Sequence, residues 1–127
     1  MLLEEVIEGP EVTVVIIGET ALPVVEIIPP PNQEFDYTNK YNGASQEIVP
    51  PLNITKNLQI KVQDLALRIH KLAGCAGMSR TDIIIDKSGH PYILETNTIP
   101  GLSEQSFLPK AAAAAGLSIE QVVSMLI

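Results

Sequence analysis

The chain has 127 residues, 46% of them hydrophobic, which suits one modest domain with a real core and not a disordered segment. A formal charge of −7 and a pI near 4.7 argue against a nucleic-acid footprint. No stretch is apolar for long enough to cross a membrane, and a lone Cys75 allows no internal disulfide. Glu4 and Glu5 stand where a secretory signal would carry basic residues, so a reducing cytoplasm fits.

In chain order, LLEEVI (2–7) reads as a short strand leaving a linker. Glu11 to Gly18 alternates and then turns fully apolar, as a buried strand does. Gly18-Glu19-Thr20 is a turn, and Leu22 to Ile28 is the returning strand, stopped by three prolines. Residues 32–51 are polar and turn-rich, the best place for a functional loop. Thr55 to Ala73 is the strongest helix. Leu58, Val62, Leu65, Ile69 and Leu72 recur at helical spacing, Thr55 can cap the start, and Gly74 can end it. Cys75 reads as a small buried filler beside that end. His70 on the helix and His90 in a later turn lack metal-ligand partners and read as surface residues.

The next two runs carry the chemistry. DIIID (82–86) and PYILE (91–95) are β-rich and separated by Lys87-Ser88-Gly89-His90, which favours an antiparallel hairpin. A four-residue loop sets Asp86 opposite Pro91 and Asp82 opposite Glu95. Alternation then places Arg80, Asp82, Glu95 and Asn97 on one face, with Ile83, Ile85 and Leu94 on the other. A slip of one residue would separate the two acids. Opposed carboxylates repel without a cation. Arg80 could neutralise them in a structural ion pair. Two acids, an amide and a Pro-Gly turn are also the hard oxygen set of a magnesium–phosphate site, with manganese as an alternative ion. Further on, Ser106 to Ala115 reads as a helix with Pro109 in its first turn and Gly116 past its end. Ser118-Ile119-Glu120-Gln121 reads as a capping box opening a last amphipathic helix.

These segments, taken with GPEVTVVIIG (9–18), LPVVEI (22–27), FDYTNKY (35–41), SRTD (79–82), LETNTIPG (94–101) and SFLPKAAAAAG (106–116), resemble in order and spacing the C-terminal part of the D-alanine–D-alanine ligases, a family of the ATP-grasp superfamily. The resemblance covers nearly the whole chain. It implies an α+β fold, the ATP-grasp C-terminal lobe, mainly an antiparallel sheet packed by helices. It implies ATP and two magnesium ions bound by Asp82, Glu95 and Asn97, with Glu95 bridging. Glu4 would contact the adenine amino group, Ile7 would wall the base pocket and Glu11 would accept from the ribose. Lys40 would contact phosphate and Tyr41 would join the hydrogen-bond network over the substrate. Arg80 and the Gly101 N–H would stabilise the oxyanion of a tetrahedral intermediate. Ser106, otherwise a plain N-cap, would help grip the carboxylate of the second D-alanine, beside a Phe107 that departs from the family's usual leucine.

The implied reaction is ATP-dependent joining of two D-alanines through a D-alanyl phosphate, for peptidoglycan precursors, in a cytoplasmic protein that is a homodimer at full length and has no nucleic-acid or membrane partner. The family's N-terminal domain and central lobe have no counterpart in residues 1–127. The expectation is therefore a ligase fragment, inactive alone and of doubtful solubility, because its first apolar strands would pair with missing neighbours. The alternatives are a non-catalytic nucleotide-binding remnant and a ligase with another acceptor, such as D-lactate or D-serine.

Overall fold

A computed structural model describes residues 1, 3–30 and 45–127. Its elements run β1 (Glu11–Ile17), β2 (Thr20–Ala21), β3 (Val25–Ile28), β4 (Gln46–Ile48), α1 (Lys56–Leu72), β5 (Met78–Ile85), β6 (Pro91–Asn97), α2 (Phe107–Ala114) and α3 (Ile119–Leu126). The strands form one antiparallel sheet in the order β4-β3-β1-β5-β6, with β2 folded back on β1. Residues 3–8 form no strand, contrary to the reading of LLEEVI.

The β-branched run Val12–Ile17 explains why β1 lies at the centre. All six of these side chains are buried, as befits a strand covered on both faces. Val12, Val14 and Ile16 pack with Ile83 and Ile85 against Val62 and Ala66 of α1. Val15 and Ile17 pack with Val25 against Leu108, Ala111 and Ala112 of α2 and Val122 of α3. The expectation that the early strands lack neighbours is corrected here, because β1 is paired on one side with β3 and on the other with β5. The exposed apolar edge is β6, where Tyr92, Ile93 and Leu94 are each more than two fifths exposed.

Local signals in the helices hold. The Thr55 hydroxyl accepts from the Leu58 N–H at 3.3 Å, and Gly74 follows α1 with φ +65°. Ser118 and Gln121 exchange both capping-box bonds. The buried stripe of α1 is shifted from the expected one: Val62, Ala66 and His70 are buried, whereas Leu72 is exposed. His70 is therefore no surface residue. Its Nδ1 lies 2.7 Å from the Ser79 hydroxyl, a partner contributed by β5 and invisible in the helical pattern alone. His90 is exposed, as expected, and Cys75 is only half-buried.

Candidate functional site

The β5–β6 hairpin carries the site. Its register sets Arg80 opposite Asn97 and Asp82 opposite Glu95, bringing all four groups to one face of the sheet. The loop end differs from expectation: Ile85, not Asp86, faces Pro91, a slip of one residue. Continued unbroken, that register would oppose Asp82 to Leu94. A β-bulge instead sets two steps of β6 against one of β5, so Ile83 faces Ile93 while Asp82 faces Glu95. Leu94 is the extra residue. It is half exposed and does not join Ile83 and Ile85 in the core, which corrects its predicted place. Asp86 closes the loop by accepting from the N–H groups of Ser88 at 2.8 Å and His90 at 2.9 Å. The His90 bond in particular holds its carboxyl below the usual aspartate value.

Asp82 is buried and fully engaged on one side. Its Oδ1 accepts from the Thr13 hydroxyl at 2.6 Å and from Arg80 Nε at 3.0 Å, and its Oδ2 accepts from Arg80 Nη2 at 2.9 Å. Arg80 Nη2 also reaches Glu95 Oε1 at 3.4 Å. The guanidinium thus forms a fork on Asp82 and offsets one of the two carboxylate charges. Its Nη1 makes no hydrogen bond among the described residues, and its Cζ lies over the Phe107 ring, 5.2 Å from the centroid. Thr13 was not singled out from the sequence. The signal was there: it is the lone hydroxyl in an apolar run, and β1 pairs it with Asp82.

The donor set fits a divalent cation that carries its own phosphate ligands. Asp82 Oδ2 keeps a lone pair. Glu95 is more than half exposed, with Oε2 uncommitted among the described residues. Asn97 Oδ1 accepts one bond, from the Ile99 N–H at 2.8 Å, and has a second lone pair. No three His, Cys, Asp or Glu side chains converge among the described residues, so an ion here needs the amide and outside oxygens.

Beside this face an open cleft of about 510 Å³ is lined by Ile7, Gly9, Pro10, Glu11, Glu26, Ile27, Ile28, Pro29, Asn53 and Ile84. Of the three residues expected at an adenosine, Ile7 and Glu11 line the cleft, whereas Glu4 is exposed and does not. Gly9 is required at its rim, since a Cβ there would sit 1.8 Å from the Ile85 carbonyl oxygen. Glu26 was missed in the sequence. It is buried, and it binds the N–H groups of Leu52 and Asn53 and the Asn53 amide, fixing that wall.

Gly101 and Ser106 are brought together, and a Cβ on Gly101 would meet Ser106 Oγ at 2.6 Å. Ser106 occupies the N-cap position of α2 but makes no side-chain cap bond, because its hydroxyl pairs with Ser103 at 2.8 Å. The first N–H groups of the helix therefore lack a hydroxyl cap. Lys40 and Tyr41 lie outside the described residues.

Comparison with known proteins matches the full length. The family model described as "D-ala D-ala ligase C-terminus" covers residues 1–127. The chain is 42% identical over 123 residues to a D-alanine–D-alanine ligase of Nitrosospira multiformis, covering 97% of this chain and 40% of the relative. It is 45% identical over 132 residues to one of Desulfotalea psychrophila, covering 100% and 41%. Among solved structures it resembles the Bacillus anthracis D-alanine–D-alanine ligase complexed with ATP, with TM-score 0.79, 33% identity and coverage of 98% and 40%. It also resembles the VanG D-Ala:D-Ser ligase of Enterococcus faecalis, with TM-score 0.80, 34% identity and coverage of 96% and 36%. The chain spans about two fifths of the length of the curated relatives it matches. With its antiparallel sheet, three helices and acid-bearing hairpin, it belongs to the D-alanine–D-alanine ligase C-terminal family, in the ATP-grasp fold.

Proposed function

We propose that this chain is the nucleotide- and metal-binding C-terminal lobe of an ATP-dependent carboxylate–amine ligase that joins two D-alanines for peptidoglycan precursors. The observation that supports this reading most is the bulged register, which opposes Asp82 to Glu95 and Arg80 to Asn97 on one face. The carboxylate of one D-alanine attacks the γ-phosphorus of ATP, giving D-alanyl phosphate and ADP. The amine of the second attacks the acyl carbon, and phosphate leaves. Such chemistry asks the protein to position groups and meet developing charge.

Asp82, Glu95 and Asn97 would hold two magnesium ions, whose charge offsets that of the nucleotide phosphates. Arg80 would meet charge at the transferring phosphoryl group and, with the Gly101 N–H, at the oxyanion. Ile7 and Glu11 in the cleft would receive adenine and ribose. The N-terminus of α2, at Ser106 and Phe107, would take the carboxylate of the second amino acid. Lys40 and Tyr41 would act from the chain between β3 and β4, and Glu4 would approach the base from the segment that precedes β1. The rest of the machinery would come from the portion of the relatives that this chain does not span, as part of a cytoplasmic homodimer. The VanG match favours one second reading, the same chemistry with D-serine as acceptor.

Calorimetry tests the proposal. Wild type should bind Mg-ATP, and Glu95→Gln should weaken it by about tenfold, the equivalent of one lost charge-assisted contact. With magnesium chelated, the two proteins should bind ATP alike. Equal Mg-ATP affinity in wild type and variant would remove Glu95 from the site. Residues 1–127 alone should make no dipeptide from ATP and D-alanine, and detection of the product by chromatography would contradict that division of labour.

A further inference from the structure

We propose that Phe107 is a positioning residue for Arg80, holding the guanidinium so that Nη1 is presented to a transferring phosphoryl group. The inference rests on the nucleotide-site reading above and adds a role for the aromatic ring.

Three contacts on Arg80 lead to it. Nε and Nη2 form a fork on Asp82 at 3.0 and 2.9 Å, and Asp82 is itself fixed by Thr13 at 2.6 Å. A planar fork defines the edge of the guanidinium but lets it hinge out of plane about the carboxylate. The Phe107 ring closes that freedom, because Cζ of Arg80 lies over it at 5.2 Å. The negative face of the ring attracts the cation from the side that the fork leaves open. Nη1 then remains the nitrogen without a protein partner among the described residues, on a side chain only 17% exposed.

The ring is itself held in place. Phe107 begins α2, which is pinned by buried Leu108, Ala111 and Ala112 and by an ion pair from Lys110 to Glu47 of β4. A leucine at 107 would fill much of the same space without offering a π face. The aromatic character, rather than bulk, is what this geometry uses.

Two readouts on the chain itself test the inference. In wild type, the Arg80 δ-methylene protons should carry an upfield ring-current shift in NMR spectra. Phe107→Leu should lose it and Phe107→Tyr should regain it. In calorimetry, Phe107→Leu should weaken Mg-ATP about three- to tenfold relative to Mg-ADP, and Phe107→Tyr should restore the ratio. A packing role alone would lower melting temperature and weaken both nucleotides equally. Equal losses for ATP and ADP, or an Arg80 shift indifferent to residue 107, overturn the inference while the site reading stands. A wild-type chain that binds neither nucleotide overturns the site reading, and the inference falls with it.

Discussion

The two faces of β5 divide labour residue by residue. Toward α1 the strand presents Ser79, Thr81, Ile83 and Ile85, all buried. The polar atoms there are neutral and paired, Ser79 with His70 at 2.7 Å and Thr81 with Thr96 at 3.1 Å. Toward α2 it presents Arg80 and Asp82, charged and gripped by each other and by Thr13. One face satisfies its polar groups internally. The other leaves specific oxygens and one nitrogen uncommitted among the described residues. A strand with both faces covered can therefore serve as core and as chemical platform, provided that each face keeps its own kind of partner.

Adjacent substitutions should break this division cleanly. Ile83→Ala, on the α1 face, opens a cavity in a site with 0% exposure and should cost about 3 kcal/mol in denaturant unfolding. The fraction that stays folded should bind Mg-ATP with unchanged affinity. One residue earlier, Asp82→Asn removes the charge under Arg80 and one accepted bond. A loss of about 2 kcal/mol is expected, together with loss of Mg-ATP binding. If Ile83→Ala weakens nucleotide affinity as much as Asp82→Asn does, the faces are not independent.

The two acids sharpen the contrast. Asp82 is buried and Glu95 is more than half exposed. Glu95→Gln should therefore shift the urea midpoint little, by under about 0.5 kcal/mol, while still weakening the metal-loaded nucleotide. The smallest effect belongs to the hairpin loop. The Asp86 carboxyl is held below its ordinary value of 3.8, so between the folded value and 3.8 the native state binds fewer protons than the unfolded chain. Its contribution to stability is complete above about pH 4 and is lost as pH falls through the folded value. Asp86→Ala should flatten that acid limb in melting curves recorded below pH 4.

Much of this was legible in the sequence, where the deciding interaction was local. Thr55, the capping box at Ser118 and the strand run of β1 rest on short-range rules, and the structure keeps them. The pairing of Asp82 with Glu95 was also readable, although by a register that holds at only one end of the hairpin. A loop count cannot reveal a bulge, because the extra residue is set by how the strands twist and pack. The burial of His70 was hidden for a related reason: its partner Ser79 is on another element, across a turn. Thr13, Glu26 and the placing of Arg80 over the Phe107 ring likewise depend on contacts between segments far apart in the chain.

The extra residue at position 94 has a genetic corollary. Losing a single codon there would give β6 a more regular ladder and leave the apolar core untouched. The same loss would bring both ends of the hairpin into one register and leave Asp82 facing Glu95 and Arg80 facing Asn97. The paired acids would therefore survive the loss of the bulge.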